Sequence, residues 1–534
     1  MSFIRLFWRT LRFAVFDLPK WILILAGLYL FLHYAALTPL GAWVIVAVAA
    51  IVALPIVIGV WRYVRRPRQA YGSASFAKGK ELRKAGLLTS TGPIIGKRGD
   101  RFLRYERPGH LLTFAPTRSG KGVGAVVPNL LDHPGSVFVT DIKGENYRLA
   151  GGYRAEIGRV VVFAPFDPTL SNAFYNPVDF IRVGTANEVD DARLMAEMIV
   201  APDAGEADHW EREARVLIMG LLLHIARDLD AEDRTVRQLR LMLMRSRMGF
   251  DEVLTAMAVS ASDTAARIAE GFSQKEDKER SAVISTAQGC TEIFESPQLA
   301  EMTARSSFRF EQMKEHTFSV FLIVPPEFVS AYQPFMRLMV GIATAAMSRN
   351  PHVPDTPVLF LLDELPALGR MRPIEDGIGY LAGYGVRLWL FVQDLDQLQK
   401  TYRKWRSMIA NCAVRQAFNV QDPETANMLS NMLGQRTVKV RSGGRSGRFP
   451  WLGLPASFSE SESETGRPLL SPSEVTLLPD SRMLVFVQGC RPILAEKIRY
   501  YADAVFQRRL SRPTEAAAEA VKAKKSLNPE ILKG

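Results

Sequence analysis

The segment His110-Leu-Leu-Thr-Phe-Ala-Pro-Thr-Arg-Ser-Gly-Lys-Gly-Val-Gly124 constrains the fold more than any other. An apolar strand (110–114) breaks into a loop of small residues carrying Lys121, and a helical pattern follows. Such a loop turns successive backbone N–H groups inward to make an anion-binding nest. Its lysine reaches outer phosphates, and the helix offers its positive end to the same charge. Against the strict phosphate-loop pattern G-x-x-x-x-G-K-[ST] the match is partial. Gly120 and Lys121 fit, Ala115 stands at the first glycine, and Gly122 replaces the hydroxyl residue that normally binds magnesium. Taken alone, the segment is also compatible with a surface turn.

About 240 residues downstream, Val358-Leu-Phe-Leu-Leu362 has the wholly apolar composition of a strand buried on both faces. It ends in Asp363-Glu364. Carboxylates at such a tip are costly unless a cation or a network satisfies them. The first can hold Mg²⁺ through water, and the second can orient or activate an attacking water. A third apolar run, Val386–Val392, ends in Gln393, placed to sense a γ-phosphate. One polar strand end is most often a solvated turn. Three in this order make a P-loop ATPase the best reading.

The first seventy residues belong to another environment. Residues 21–37 and 42–61 are uncharged apolar stretches joined by Thr38-Pro39-Leu40-Gly41. The first is slightly short for a bilayer and the second is long enough. Trp21, Tyr34, Trp43 and Trp61 sit at their ends, where aromatic belts form. A cleaved signal peptide would need a small-residue cleavage site, and none is evident. Arg5, Arg9, Arg12 and Lys20 precede the first span, and Arg62, Arg65, Arg66 and Arg68 follow the second, which predicts both flanks on the cytoplasmic side. Those eight cations, less Asp17, supply +7 of the formal +12. The remaining +5 is a weak argument for nucleic acid. Cys290, Cys412 and Cys490 lie far apart and suggest neither a disulfide framework nor a zinc site.

Beyond a basic linker to about Arg107, strands at 136–140 and 159–163 flank a helical segment opened by Asp141-Ile-Lys-Gly-Glu145. Strand, crossover helix and strand favour a parallel α/β sheet. From 184 to 312 the pattern turns helical, as in Ala192–Ile199 and Glu211–Ile225. Roughly 120 residues is enough for a small core of its own, so this is expected to be an all-α domain inserted into the α/β core. The core resumes at Phe318–Val324 and continues through Ala413–Val420, a helix at 424–433, Met483–Val487 and a short strand near 491–500. Gly, Ser, Arg and Glu dominate 441–467, which predicts an exposed, mobile loop. A polar tail follows 509.

These motifs, in this order, resemble the coupling proteins of type IV secretion systems, the TraG/TraD family. Ala115-Pro116-Thr117-Arg118-Ser119-Gly120-Lys121-Gly122-Val123 looks like that family's nucleotide loop, in which glycine after the lysine is habitual. Thr140–Glu145, Phe174-Tyr-Asn-Pro177, Asp363–Gly369 and Ala382–Leu388 with Gln393 also look like its signatures. The resemblance runs from the spans to about residue 505. It implies a RecA-like P-loop core with an inserted all-α domain and two N-terminal transmembrane helices. The implied boundaries are 1–70 for the anchor, 71–183 and 313–508 for the core, 184–312 for the insert, and 509–534 for the tail. It further implies a homo-hexameric ATPase of the bacterial inner membrane, using ATP and Mg²⁺. Its partners would be DNA bound without regard to sequence, relaxase or effector proteins, inner-membrane channel components and membrane lipid. Carried over by residue, Lys121 binds phosphate, Asp363 supports the metal, Glu364 is catalytic and Gln393 is the sensor. Thr117 and Ser119 remain open as substitutes for the missing hydroxyl, and Arg387 and Arg370 as an arginine finger acting on a neighbouring subunit.

Three other readings compete. A chromosome-segregation translocase would carry more spans and a C-terminal winged helix, for which the tail leaves no room. A non-hydrolysing docking receptor has no need of the intact Lys121, Asp363, Glu364 and Gln393. A small-molecule transporter cannot build a pathway from two spans. Whether the cargo is DNA or protein is not written in the sequence.

Overall fold

The computed structural model describes residues 70–201, 207–446 and 457–510, with scattered positions between 27 and 58. The spans expected at 21–37 and 42–61 fall mostly outside the described residues, and the tail after 510 falls wholly outside them. Among the described residues no helix is long and apolar enough to cross a membrane. The chain divides into two compact units, 72–438 with 466–534, and 1–71 with 439–465.

The larger unit is built on an 11-stranded sheet of order β2-β1-β13-β12-β9-β3-β8-β7-β4-β6-β5. The strands are β1 Ile94–Arg98, β2 Arg101–Arg104, β3 His110–Phe114, β4 Val137–Asp141, β5 Arg159–Phe163, β6 Phe318–Ile323 and β7 Val358–Leu362, followed by β8 Val386–Val392, β9 Cys412–Ala417, β12 Arg482–Val487 and β13 Ile493–Glu496. From β9 to β5 every pairing is parallel. From β9 to β2 every pairing is antiparallel. The parallel part agrees with the alternation of strands and helices. The antiparallel edge includes β1 and β2, which lie in the segment expected to be a linker. They pair around Gly99-Asp100, where Gly99 takes a left-handed φ of 59°.

Alternation along the parallel strands sends successive side chains to opposite faces. Phe138, Phe163, Phe360 and Leu390 join one hydrophobic cluster, and Val139, Val162, Leu361 and Trp389 join the other. Helices such as Glu145–Ile157 and Ala504–Leu510 cover the second face. Between β5 and β6 the described residues form helices and no strand, the longest being His209–Asp228 and Asp277–Thr291. Leu217, Leu239, Phe272 and Val283 of this stretch lie in the same continuous cluster as the first sheet face. The helices therefore share a core with the sheet.

Where the chain leaves and re-enters the sheet, the two passes are tied together. Tyr175 N–H donates to the Met302 carbonyl at 3.1 Å, and Ser307 N–H to that of Phe174 at 2.9 Å. The Tyr175 ring packs against Phe310 at 4.8 Å. Asn176 Nδ2 reaches the Arg234 carbonyl. The Phe174–Pro177 motif is thus a structural clasp at the neck of the helical stretch. Nearby, Asp191 accepts from Arg182 Nε at 2.8 Å and from Arg349 Nη2, joining helix Glu188–Ile199 to helix Gln333–Arg349.

Of the loop expected at 441–467, residues 441–446 and 457–467 belong instead to two strands, β10 Gln435–Ser446 and β11 Ser457–Pro468, which pair with each other in a separate sheet, and 447–456 lie outside the described residues. Lys439 and Arg441 both pair with Glu462, so cross-strand charge replaces the apolar pattern by which a strand is usually read.

Candidate functional site

The phosphate-type loop leaves β3 between its two parallel neighbours. Ala115 N–H donates to the Val392 carbonyl of β8 at 2.8 Å, and Phe418 N–H, just past β9, donates to the Phe114 carbonyl at 2.9 Å. Arg118 at φ 63° and Gly120 at φ 87° take left-handed conformations that curl the loop. Ser119 N–H closes a turn on the Pro116 carbonyl, and Gly124 N–H begins the helical bonding on Gly120. The following turns, Gly122–Val126 and Val127–Leu130, are pinned to β1 through Asn129, whose Oδ1 accepts from Ile94 N–H at 2.7 Å.

Lys121 lies against the tip of β7. Its Nζ is 2.8 Å from Asp363 Oδ1 and 2.5 Å from Glu364 Oε2. Burial alone pushes the lysine pKa down, but the two carboxylates outweigh it and hold it above the ordinary value. For Asp363, burial pushes the carboxyl up against the opposing pull of Lys121. Glu364 has a left-handed φ of 56°, a conformation costing a non-glycine residue on the order of 1–3 kcal/mol. Gln393, at the end of β8, donates from Nε2 to Glu364 Oε1. The three strand ends singled out in the sequence therefore meet at one point, with Glu364 held by Lys121 on one oxygen and by Gln393 on the other.

Ser119 is buried and its hydroxyl has no hydrogen-bond partner, whereas Thr117 is exposed. At Gly122 an added Cβ would meet nothing within 4 Å, so packing does not exclude a side chain at that position. Arg387 is unsuited to reach a neighbouring subunit, because it is buried and donates to the carbonyls of Tyr105, Glu106 and Arg107. Arg370 pairs with Glu375 at 2.9 Å. Among the described residues, no group of three His, Cys, Asp or Glu is arranged to hold a metal ion.

Two features went unassigned in the sequence. Thr140 Oγ1 donates to the Asp363 carbonyl at 3.2 Å. Asp141, at the tip of β4, is buried, and burial together with the Asp363 charge pushes its carboxyl up to about 6. A carboxylate ending an apolar strand is the same signal that singled out Asp363, so the sequence already carried a role for Asp141 beyond its place in the Thr140–Glu145 signature. Beneath the loop, Trp389 Nε1 donates to Thr113 Oγ1, which donates to Gln416 Oε1, both at 2.8 Å. No motif marks that relay.

A large, mainly parallel sheet with a phosphate-type loop at its middle strand and acidic tips beside it defines an α/β protein of P-loop architecture. Comparison narrows the class. The chain belongs to the family described as Type IV secretory system Conjugative DNA transfer, which it matches over residues 71–524. It is 31% identical over 514 residues to the conjugal transfer protein TraG of Escherichia coli, covering 85% of this chain and 80% of TraG. It is 29% identical over 469 residues to the protein VirD4 of Rhizobium rhizogenes, covering 83% of this chain and 67% of VirD4. The plasmid coupling protein TrwB has a similar fold. Its structure with the non-hydrolysable ATP analogue ADPNP superimposes with a TM-score of 0.61 at 17% identity, covering 82% of this chain and 98% of that one. A second, with ADP and Mg²⁺, gives 0.60 at 18%, covering 80% and 96%.

Proposed function

We propose that this chain is a P-loop ATPase of the bacterial inner membrane that couples ATP hydrolysis to substrate transfer into a type IV secretion channel. The substrate class is relaxase-bound DNA, effector protein or both. The working form is a homo-hexamer, anchored in lipid by two N-terminal spans, with the bulk of the chain in the cytoplasm. The observation that carries the reading is the convergence of Lys121, Asp363, Glu364 and Gln393 at three adjacent strand ends, β3, β8 and β7. The ligands of the similarly folded TrwB support ATP and Mg²⁺ as those of this chain.

The residues present fit a magnesium ion. Asp363 offers a carboxylate at a buried strand tip, and the Ser119 hydroxyl is buried without a partner. These two would hold the ion, the phosphates supplying further oxygens, since Mg²⁺ needs few protein ligands. When bound, it neutralises charge on the phosphates. A triphosphate entering the loop competes with Glu364 for the Lys121 ammonium. Released from Lys121, Glu364 Oε2 is free to accept a proton from water, while Gln393 keeps the other oxygen oriented. A RecA-like site also takes a charge-stabilising arginine from the next subunit, so the isolated chain is incomplete.

Full-length protein in vesicles should therefore turn over ATP faster than linearly with surface density. DNA of any sequence should accelerate it, and high salt should remove that acceleration, because backbone contacts are ionic. Turnover proportional to protein and indifferent to DNA contradicts the ring motor. Reporter fusions at residues 15 and 75 should both score cytoplasmic, and a periplasmic signal at either refutes the anchor topology.

A further inference from the structure

A second lysine grips the loop from the side away from Glu364. Lys497 follows β13, and its side chain is only 6% exposed. An ammonium group has three N–H donors, and here each has an acceptor. They are the Ser119 carbonyl at 2.9 Å, Asn419 Oδ1 at 2.8 Å and Asp480 Oδ1 at 3.2 Å. The Phe418 ring lies 5.2 Å beneath the charge. Asn419 is left-handed at φ 43°, and its Nδ2 donates to Asp480 Oδ1 at 2.5 Å, closing the cluster. The helix after the loop packs on the same segment, since a Cβ at Gly124 would stand 3.3 Å from Phe418 and 3.4 Å from the Ile498 carbonyl.

The sheet order gives this cluster a direction. The loop rises from β3, flanked by β8 on one side and β9 on the other. Gln393 directly follows β8, and Glu364 lies beyond it just past β7, so the hydrolytic groups occupy one flank. Phe418 and Asn419 directly follow β9, so Lys497 occupies the other. A carbonyl turned toward the phosphates would repel them, whereas one engaged by an ammonium outside the nest leaves the N–H groups facing in. Nothing in the motif at 115–123 requires a lysine 378 residues beyond Ser119.

We propose that Lys497 is a positioning residue of the phosphate loop. With Asn419 and Asp480 it holds the Ser119 carbonyl out of the nest, and so sets affinity for nucleoside di- and triphosphates without entering the hydrolytic step. The inference rests on the nucleotide-binding reading of the loop.

The test uses the full chain, with ADP and ATP titrated in Mg²⁺ and single-turnover hydrolysis measured at saturating ATP. Lys497→Met should weaken ADP and ATP alike by about tenfold, the size of a lost charge-assisted hydrogen bond. The single-turnover rate should stay within about twofold of wild type, because the flank carrying Glu364 is untouched. A merely structural lysine would lower the unfolding midpoint while leaving the affinity of folded protein unchanged, and that result overturns the proposal. So does an equal loss in the single-turnover rate. If Lys497→Met does not fold, Asp480→Asn carries the test at a carboxylate 68% exposed, where unchanged affinity for both nucleotides is the contradicting result. Wild-type protein that binds neither nucleotide would overturn the reading of the loop itself, and this inference with it.

Discussion

Asp141 is the residue at which burial acts against the chain most plainly. Its carboxyl is pushed from 3.8 to about 6, first by burial and further by the Asp363 charge, against hydrogen bonds from the Tyr147, Lys143 and Asn146 backbone. A raised folded pKa means that the folded state holds a proton which the unfolded chain has released. The ionised form therefore costs nothing below pH 3.8, and its full cost is reached above about pH 6. By linkage that cost is about 3 kcal/mol. Asp141→Asn is neutral throughout and keeps an oxygen for the Tyr147 N–H, so its stability relative to wild type should rise between pH 4 and pH 7. Unfolding midpoints of the magnesium-free proteins at pH 5 and pH 7.5 check this, and a difference independent of pH contradicts it. The same crowding of negative charge makes this corner of the sheet receptive to a cation. Glu364 shows the complementary effect, an unfavourable backbone conformation retained where Lys121 and Gln393 both hold its side chain.

Among the elements, helix Glu188–Ile199 is tied to helix Gln333–Arg349 by Arg337, which donates to the Met198 and Ile199 carbonyls, and by the Asp191 carboxylate. The Asp191 side chain is 5% exposed and faces two guanidiniums, and that of Arg349 is 14% exposed and also lies 3.5 Å above the Phe180 ring. Asp191→Ala strands a buried cation, which should cost about 3–5 kcal/mol. Replacing Arg349 by Met in the same chain should restore part of it. Thermal or denaturant unfolding of the two variants measures the effect, and a loss below about 1 kcal/mol for Asp191→Ala would show the pair to be unimportant. At this scale the sequence was partly legible. Val358–Leu362 and Val386–Val392 are buried on both faces, so an unbroken apolar run marked each of them. Strands β1 and β2 lie at the sheet edge and carry Lys97, Arg98, Arg101 and Arg104, which hid them in a basic stretch. Strands β10 and β11 were hidden in the same way by Gly, Ser and Glu. Helical periodicity located the run between β5 and β6, but periodicity shows only that a face is apolar. It does not say that this face meets Phe138 and Phe360 of the sheet.

For the molecule as a whole, long-range convergence is what the sequence conveyed least. Lys121 and Glu364 are 243 residues apart and were joined only by the logic of strand ends. Lys497 had no such logic, because it reaches the loop by a carbonyl and belongs to the antiparallel edge. The two arginines first considered for action on a neighbouring subunit are both engaged within the chain, Arg387 with the 105–107 carbonyls and Arg370 with Glu375. The proposed ring motor and its stimulation by DNA presuppose that the site at the strand ends hydrolyses ATP. The most direct measurement loads wild type and Glu364→Gln with labelled ATP and Mg²⁺ and identifies the nucleotide retained. The account predicts ADP on the wild type and intact ATP on the variant, with turnover lower by on the order of 10² or more. Hydrolysis at the wild-type rate by Glu364→Gln, or ATP held unhydrolysed by the wild type, would contradict it, the latter returning the chain to a docking receptor.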